Sequence, residues 1–248
     1  MIRMTVLPLF LALPLSGACA ADLTRNEVQA RLEAAKPGQG ASFAGRSLAG
    51  LDLHELNFTG ADLSDADLAD ADLRSAKLVS AKLVGAKLPR AKLNQAWIMG
   101  ADFSHADLSG AVLETLVVSA GLETKPAEAA RFTGATLVGA KVTARFSLDD
   151  MQGADLSHLQ ASADMRNQSM GLIRADFSRT ILTGAKFDGA ALEHVTFEFA
   201  KLQHASFAKA DLAHADFAGA DLTDADFTGA LTDGADFTSA ILNGVKGR

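Results

Sequence analysis

The chain has 248 residues and a formal charge of −7, with 23 Lys and Arg against 30 Asp and Glu, and it carries 14 Phe, one Trp, one Cys and no Tyr. A mildly acidic balance gives no reason to expect binding to nucleic acid or an anionic membrane. A single Cys excludes an internal disulfide framework and any multi-cysteine metal site.

Residues 1–20 hold one charge, Arg3, followed by the apolar run Val6 to Leu15, which Pro8 and Pro14 interrupt. Ala18-Cys19-Ala20 then puts small residues at the two positions a signal peptidase reads. The pattern predicts a cleaved secretory segment, with Ala20 and Ala21 on either side of the cut. The apolar run is too short for a membrane span, which takes about 20 residues. The alternative, lipidation at Cys19, meets Ser16 three places earlier, where Leu is usual. Cleavage removes the Cys and one cation, taking the charge from −7 to −8.

Residues 21–40 predict a short helix and a linker. Thr24 and Glu27 have capping-box spacing, Leu23 and Val28 have staple spacing, and Pro37-Gly38 ends the run. Val28 and Leu32 share one face, which suits a helix that covers the N-terminal end of whatever follows.

From 41 to 244 the sequence falls into fives. Ala61-Asp62-Leu63-Ser64-Asp65 is followed by Ala66-Asp67-Leu68-Ala69-Asp70 and Ala71-Asp72-Leu73-Arg74-Ser75. A large apolar centre recurs without a slip from Phe43 to Val118, and again from Leu172 to Leu242 with only Thr232 out of character. Twelve of the 14 Phe occupy that centre. Period five fits neither a helix nor a simple strand, but it fits a chain that turns a corner every five residues. The centre and the Ala two places before it then face inward, and the residue between them faces water. Ordering one pentad costs about 5–10 kcal/mol of backbone entropy, while burying one Leu or Phe returns only about 1.5–3 kcal/mol. Pentads must therefore stack. An offset of twenty aligns Asp62, Lys82 and Asp102 on one outer strip, and Asp67, Lys87 and Asp107 on another, so that charges alternate. The same offset gathers Phe177, Phe197, Phe217 and Phe237 into one inner column and Phe187, Phe207 and Phe227 into another on the opposite wall.

This A(D/N)LXX cycle resembles the pentapeptide-repeat family. The resemblance implies an all-β solenoid, a right-handed quadrilateral β-helix with four pentads per coil, here with a short N-terminal capping helix. It also implies a tendency to dimerise through the C-terminal coil. Here that coil has centres Phe227, Thr232, Phe237 and Leu242, and only a tail at 245–248 follows the repeats.

Two stretches break phase. Residues 119–130 supply no in-phase centres and predict a protruding loop, after which the pattern resumes one residue early at Phe132. Another slip lies between Val142 and Phe146, and residues 157–171 predict an irregular segment. One continuous rod is the expectation, with two rods joined by a linker as the alternative.

No phosphate loop, zinc-protease motif or nucleophile elbow occurs, so no catalytic, cofactor or metal residues are predicted. His194 and His214, twenty apart, should stack on neighbouring coils, but two exposed imidazoles seldom hold a metal without a third ligand. Trp97 takes an outward position where Asp or Lys is usual, and packing under the nearby loop is its expected role. Seven acids between 205 and 240 face one cation, Lys209, and predict an acidic strip. These features predict a non-enzymatic structural or protein-interaction rod of the bacterial periplasm or cell exterior, with an unknown protein partner and a homodimer contact at the C-terminal coil. The alternative follows from the resemblance, since some family members mimic duplex DNA and protect a topoisomerase of the gyrase type. A topoisomerase is cytoplasmic, and the export segment argues against it.

Overall fold

The computed structural model describes residues 21–36, 39–121, 124–162 and 174–247. The export segment, including Ala20, lies outside the described residues, and Ala21 is the first within them.

Each pentad builds one side and one corner of a coil. In Ala61 to Asp65, Ala61 and Leu63 are fully buried while Asp62 between them looks outward. Leu63 then opens a four-residue turn, closed by the Ala66 N–H donating to the Leu63 carbonyl at 3.1 Å. The third residue of that turn, Asp65, has φ +56°, and its counterparts Gly85 and His105 have φ +67° and +58°. A turn of this kind demands a left-handed third residue, which explains why the last place of a pentad is so often Gly.

The Asp before each centre does more than face water. Asp62 Oδ1 accepts a hydrogen bond from the Ser64 N–H at 3.1 Å, and Asp107 Oδ1 accepts one from Ser109 N–H at 2.9 Å. The same contact recurs at Asp67, Asp155, Asp216 and Asp236. These carboxylates tie down the N–H that enters each corner, as Asn and Asp do in Asx turns. Hydrogen bonding from Ser64, side chain first and then backbone, holds the Asp62 carboxyl below the usual range.

Coils stack in parallel, and because each side is so short most pairing is by single bridges. Ser42 pairs with Asp62, Asp62 with Lys82 and Lys82 with Asp102, each twenty residues on. Three departures follow. Asp102 pairs with Arg131, twenty-nine residues on, so nine extra residues leave the coil after Val117. Arg131 pairs with Asp150, nineteen on, so one residue is missing, between Lys141 and Arg145. Gln160 pairs with Ala191, thirty-one on, so eleven extra residues leave the coil between Gln160 and Asp176. From Asp176 to Lys246 the offset is again twenty. The bridges Arg145–Asp176 and Asp150–Ile181 stack the second run directly on the first. Two stretches lengthen into named strands, β1 (Val112–Glu114) and β2 (Lys141–Thr143), which pair in parallel.

The irregular segment expected at 157–171 starts later than the residues suggested. Leu159 and Ala161 are buried, with Leu in the place Ala normally takes, and the pentad around them is regular through Ser162. Residues 163–171 lie outside the described residues. The 119–130 stretch does leave the coil, but it also serves the ladder. Its 3-10 turn, Pro126–Glu128, brings the Glu128 carbonyl to accept from the Gly100 N–H at 2.8 Å, a bond that a regular coil would supply from the next corner.

Inside, the Phe columns stack face to face. Ring centroids in the column from Phe177 to Phe237 lie 5.3, 4.9 and 5.1 Å apart, and those in the column from Phe187 to Phe227 lie 5.0 Å apart. Across the interior the two columns meet edge to face at 5.6–5.9 Å, so every ring has both favoured geometries.

Helix α1 (Arg25–Ala34) starts with the capping box its sequence proposed: Glu27 N–H donates to Thr24 Oγ1, and Thr24 N–H to Glu27 Oε2. Its Val28 is fully buried against the first coil. Asp22 N–H donates to the Ser47 carbonyl at 2.8 Å, and the Asp22 carboxylate accepts from the Ser47 N–H at 2.9 Å. Arg25 donates to the carbonyls of Asp52 and His54. The segment thus satisfies, on two sides of the first coil, backbone groups that a preceding coil would otherwise bond.

Candidate interaction surface

Because a pentad advances the chain by one side, four outward columns run along the rod. The fourth, carrying Asn57, Lys77, Trp97 and Val117 above and Arg145, Asp176, Thr196, Asp216 and Asp236 below, is set apart. Nine extra residues leave the coil at its downstream corner, and both the missing residue and the eleven extra ones fall at its upstream corner. All three irregularities therefore border one side.

Trp97 lies on this side and keeps 39% of its surface in solvent, so it is not packed away under the loop as its position suggested. The Lys77 ammonium stands 5.6 Å from its ring centre. At the corner below the same side, Phe199 is 58% exposed with φ +55°. Its ring leans over the next corner, where a Cβ on Gly219 would sit 2.4 Å from Phe199 Cε1. His105 over Gly134 and His158 over Gly189 repeat the arrangement. A bulky corner side chain is thus followed on the next coil by a Gly that leaves room for it.

The seven acids between 205 and 240 do not form the expected strip. Asp211, Asp216, Asp221 and Asp226 occupy successive sides, because a spacing of five carries each one round a corner. The acid run wraps the rod. Only Asp216 and Asp236 share a column, the fourth, where Asp176 and the neighbouring Glu198 join them. Hydrogen bonding to Asp216 and desolvation push the Glu198 carboxyl up.

His194 and His214 stack as their spacing required, with ring centroids 4.8 Å apart and planes at 11°. Glu193 lies 3.6 Å from His194 Nε2. No group of three or more His, Cys, Asp or Glu that could hold a metal occurs among the described residues.

One buried ionisable group was not foreseen. Asp149 is 1% exposed and occupies the inward place that Ala takes in other pentads. Its Oδ1 accepts from the Ala130 N–H at 2.8 Å, where the chain returns from the nine-residue excursion, and its Oδ2 has no partner. Burial pushes its pKa up to about 8, opposed by the Ala130 bond. In sequence, the signal was the slip between Val142 and Phe146, which resets the phase and puts Asp149 two places before the centre Met151.

The family model for pentapeptide repeats matches eight copies at residues 39–74, 76–114, 172–198 and 192–229, together more than half of the chain. Among solved structures, the chain is similar to HetL of the cyanobacterium Nostoc sp. strain PCC 7120, a pentapeptide repeat protein involved in heterocyst differentiation regulation. They are 25% identical over 90% of this chain and 96% of that one, with a TM-score of 0.38. Rfr23 of Cyanothece 51142 is 19% identical over 58% of this chain and 86% of its own, with a TM-score of 0.39. Full-length QnrB1, a plasmid-mediated fluoroquinolone resistance protein, is 19% identical over 82% and 90%, with a TM-score of 0.28. No curated protein matches. The repeat, its four-sided parallel coil and the family match agree: the chain belongs to the pentapeptide-repeat family.

Proposed function

We propose that this protein is a non-catalytic structural or protein-interaction rod of the bacterial periplasm or cell exterior, closed by α1 at its first end and coiled in the right-handed sense that the family resemblance implies. One observation carries the reading: a parallel ladder that runs from Ser42 to Lys246, continuous on three sides, gathers all its irregularities along the fourth. A stiff scaffold that confines its variation in this way presents a surface, as binding loops on rigid frameworks do. The run from Arg3 to Ala20 supports export. The topoisomerase-protecting alternative draws less support, since Lys82, Lys87 and Lys92 interleave with acids on three sides and break up a DNA-like charge pattern. Fractionation of an epitope-tagged protein, with the mass of the mature chain, tests the reading. Recovery outside the cytoplasm with an N-terminus at Ala21 supports it, and an uncleaved cytoplasmic protein would overturn it.

A homodimer through the last coil belongs to the same reading. Leu231 and Ile241 are 57% and 47% exposed there, and Leu242 is only half-buried. Such an end favours pairing with its own copy across a two-fold axis. Light scattering over a concentration series checks this, and a monomer at tens of micromolar would end it.

A further inference from the structure

On the fourth side the ladder opens between two coils. In a regular step, Arg131 N–H donates to the Ala101 carbonyl at 3.0 Å and Phe103 N–H to the Arg131 carbonyl at 2.7 Å. The equivalent bonds one coil further on would join Arg145 N–H to Leu116 C=O, and Val118 N–H to Arg145 C=O. Neither is made, and among the described residues these four groups have no backbone partner. The cause lies in the missing residue. The pentad starting at Ala140 has no left-handed corner residue, so the chain cuts from Thr143 straight to Ala144 and draws Arg145 away from Val117. A slot of about 340 Å³ results, lined by Leu116, Val117, Val118, Ser119, Ala144 and Arg145.

We infer that this slot takes an extended, apolar and basic peptide segment of a partner protein, seated as an added strand between the two coils. Two N–H and two C=O groups facing one another across a slot are the complement of an extended backbone, which offers both on each edge. Apolar side chains on the inward face of the peptide meet Leu116 and Ala144. Those on the other face point outward along the fourth side, toward Trp97 above and toward Asp176, Glu198, Asp216 and Asp236 below. These four acids outnumber the three cations beside them, Arg145, Arg174 and Arg179, of which Arg145 already lies 3.4 Å from Asp176, and so favour Lys or Arg in the peptide. The inference rests on the interaction-rod reading and names the class of partner.

The test pans a random heptapeptide display library on the purified protein and, in parallel, on a variant with one Gly inserted between Thr143 and Ala144. That insertion restores the five-residue step and closes the slot. Val117→Lys is a second slot-blocking variant, at a position where the same side already carries Lys77. The wild type should enrich sequences that alternate apolar residues with Lys or Arg. A selected peptide should protect the Val118 and Arg145 amides from hydrogen exchange and bind both variants at least about tenfold more weakly. Methylating the nitrogen of its central residue should cost a similar factor. Equal enrichment on the wild type and both variants would overturn the slot while leaving the rod an interaction surface. No enrichment on any of them would overturn both.

Discussion

Asp149→Asn should flatten the protein's stability between pH 4 and 8. In the folded chain the Asp149 carboxyl has a pKa of about 8, against 3.8 for an ordinary Asp. The folded state therefore keeps its proton over a range in which the unfolded state has lost it. For an acid shifted upward, the stabilisation is complete below the unfolded value, declines as pH rises and levels off above the folded value. At about 1.4 kcal/mol per pH unit, the loss between pH 5 and pH 8 is about 4 kcal/mol. The Asx-turn aspartates, Asp62, Asp226 and Asp236 among them, are shifted downward and act in the opposite sense, but only as pH falls below about 4. No charged group compensates Asp149, whose shift arises from burial alone and is opposed only by the Ala130 N–H. Asn keeps an acceptor for that N–H and has no charge to lose. Denaturant midpoints of the wild type and Asp149→Asn at pH 5, 6, 7 and 8 make the comparison. The wild type should fall steadily and the variant should stay level. Parallel profiles, or an Asp149 carboxyl carbon that titrates near pH 4 by NMR, would refute the reasoning.

Leu88→Asp should unfold the rod, because it places an unpaired charge in a fully buried column, whereas Lys87→Asp on the exposed side of the same pentad should change stability by less than about 1 kcal/mol. Similar melting temperatures for the two would contradict the inward and outward assignment. Gly219→Ala meets both φ +68° and the Phe199 ring, and should cost about 1–2 kcal/mol for the backbone alone. Pairing it with Phe199→Ala should recover the part due to the ring, so strict additivity in that double-mutant cycle would count against the contact. Deleting residues 121–128 removes no in-phase centre of the repeat but leaves the Gly100 N–H without the Glu128 carbonyl, so the chain should stay folded at a cost of about 1–3 kcal/mol, read from its denaturation midpoint. Complete unfolding would show that the excursion belongs to the core.

Much of this molecule was legible in the sequence by itself. Regular pentads repeat the same local conformation, so the inward place of Leu88 and the outward place of Lys87 follow from phase alone. The twenty-residue step from Asp62 to Lys82 and the stacked Phe columns follow from alignment of like with like. The start of α1 was written in Thr24 and Glu27. What the tertiary structure decided were the neighbours of each residue beyond its own coil. These depend on the running sum of insertions and deletions, and not on any local pattern. One missing residue before Ala144 set Asp149 under Ala130 and opened the ladder beside Val117. Nine and eleven extra residues brought His105 over Gly134 and His158 over Gly189, pairs that no fixed spacing reveals. A periodic sequence states which way a side chain points, but which side chains meet depends on the length of every coil, and that length is realised only when the coils stack.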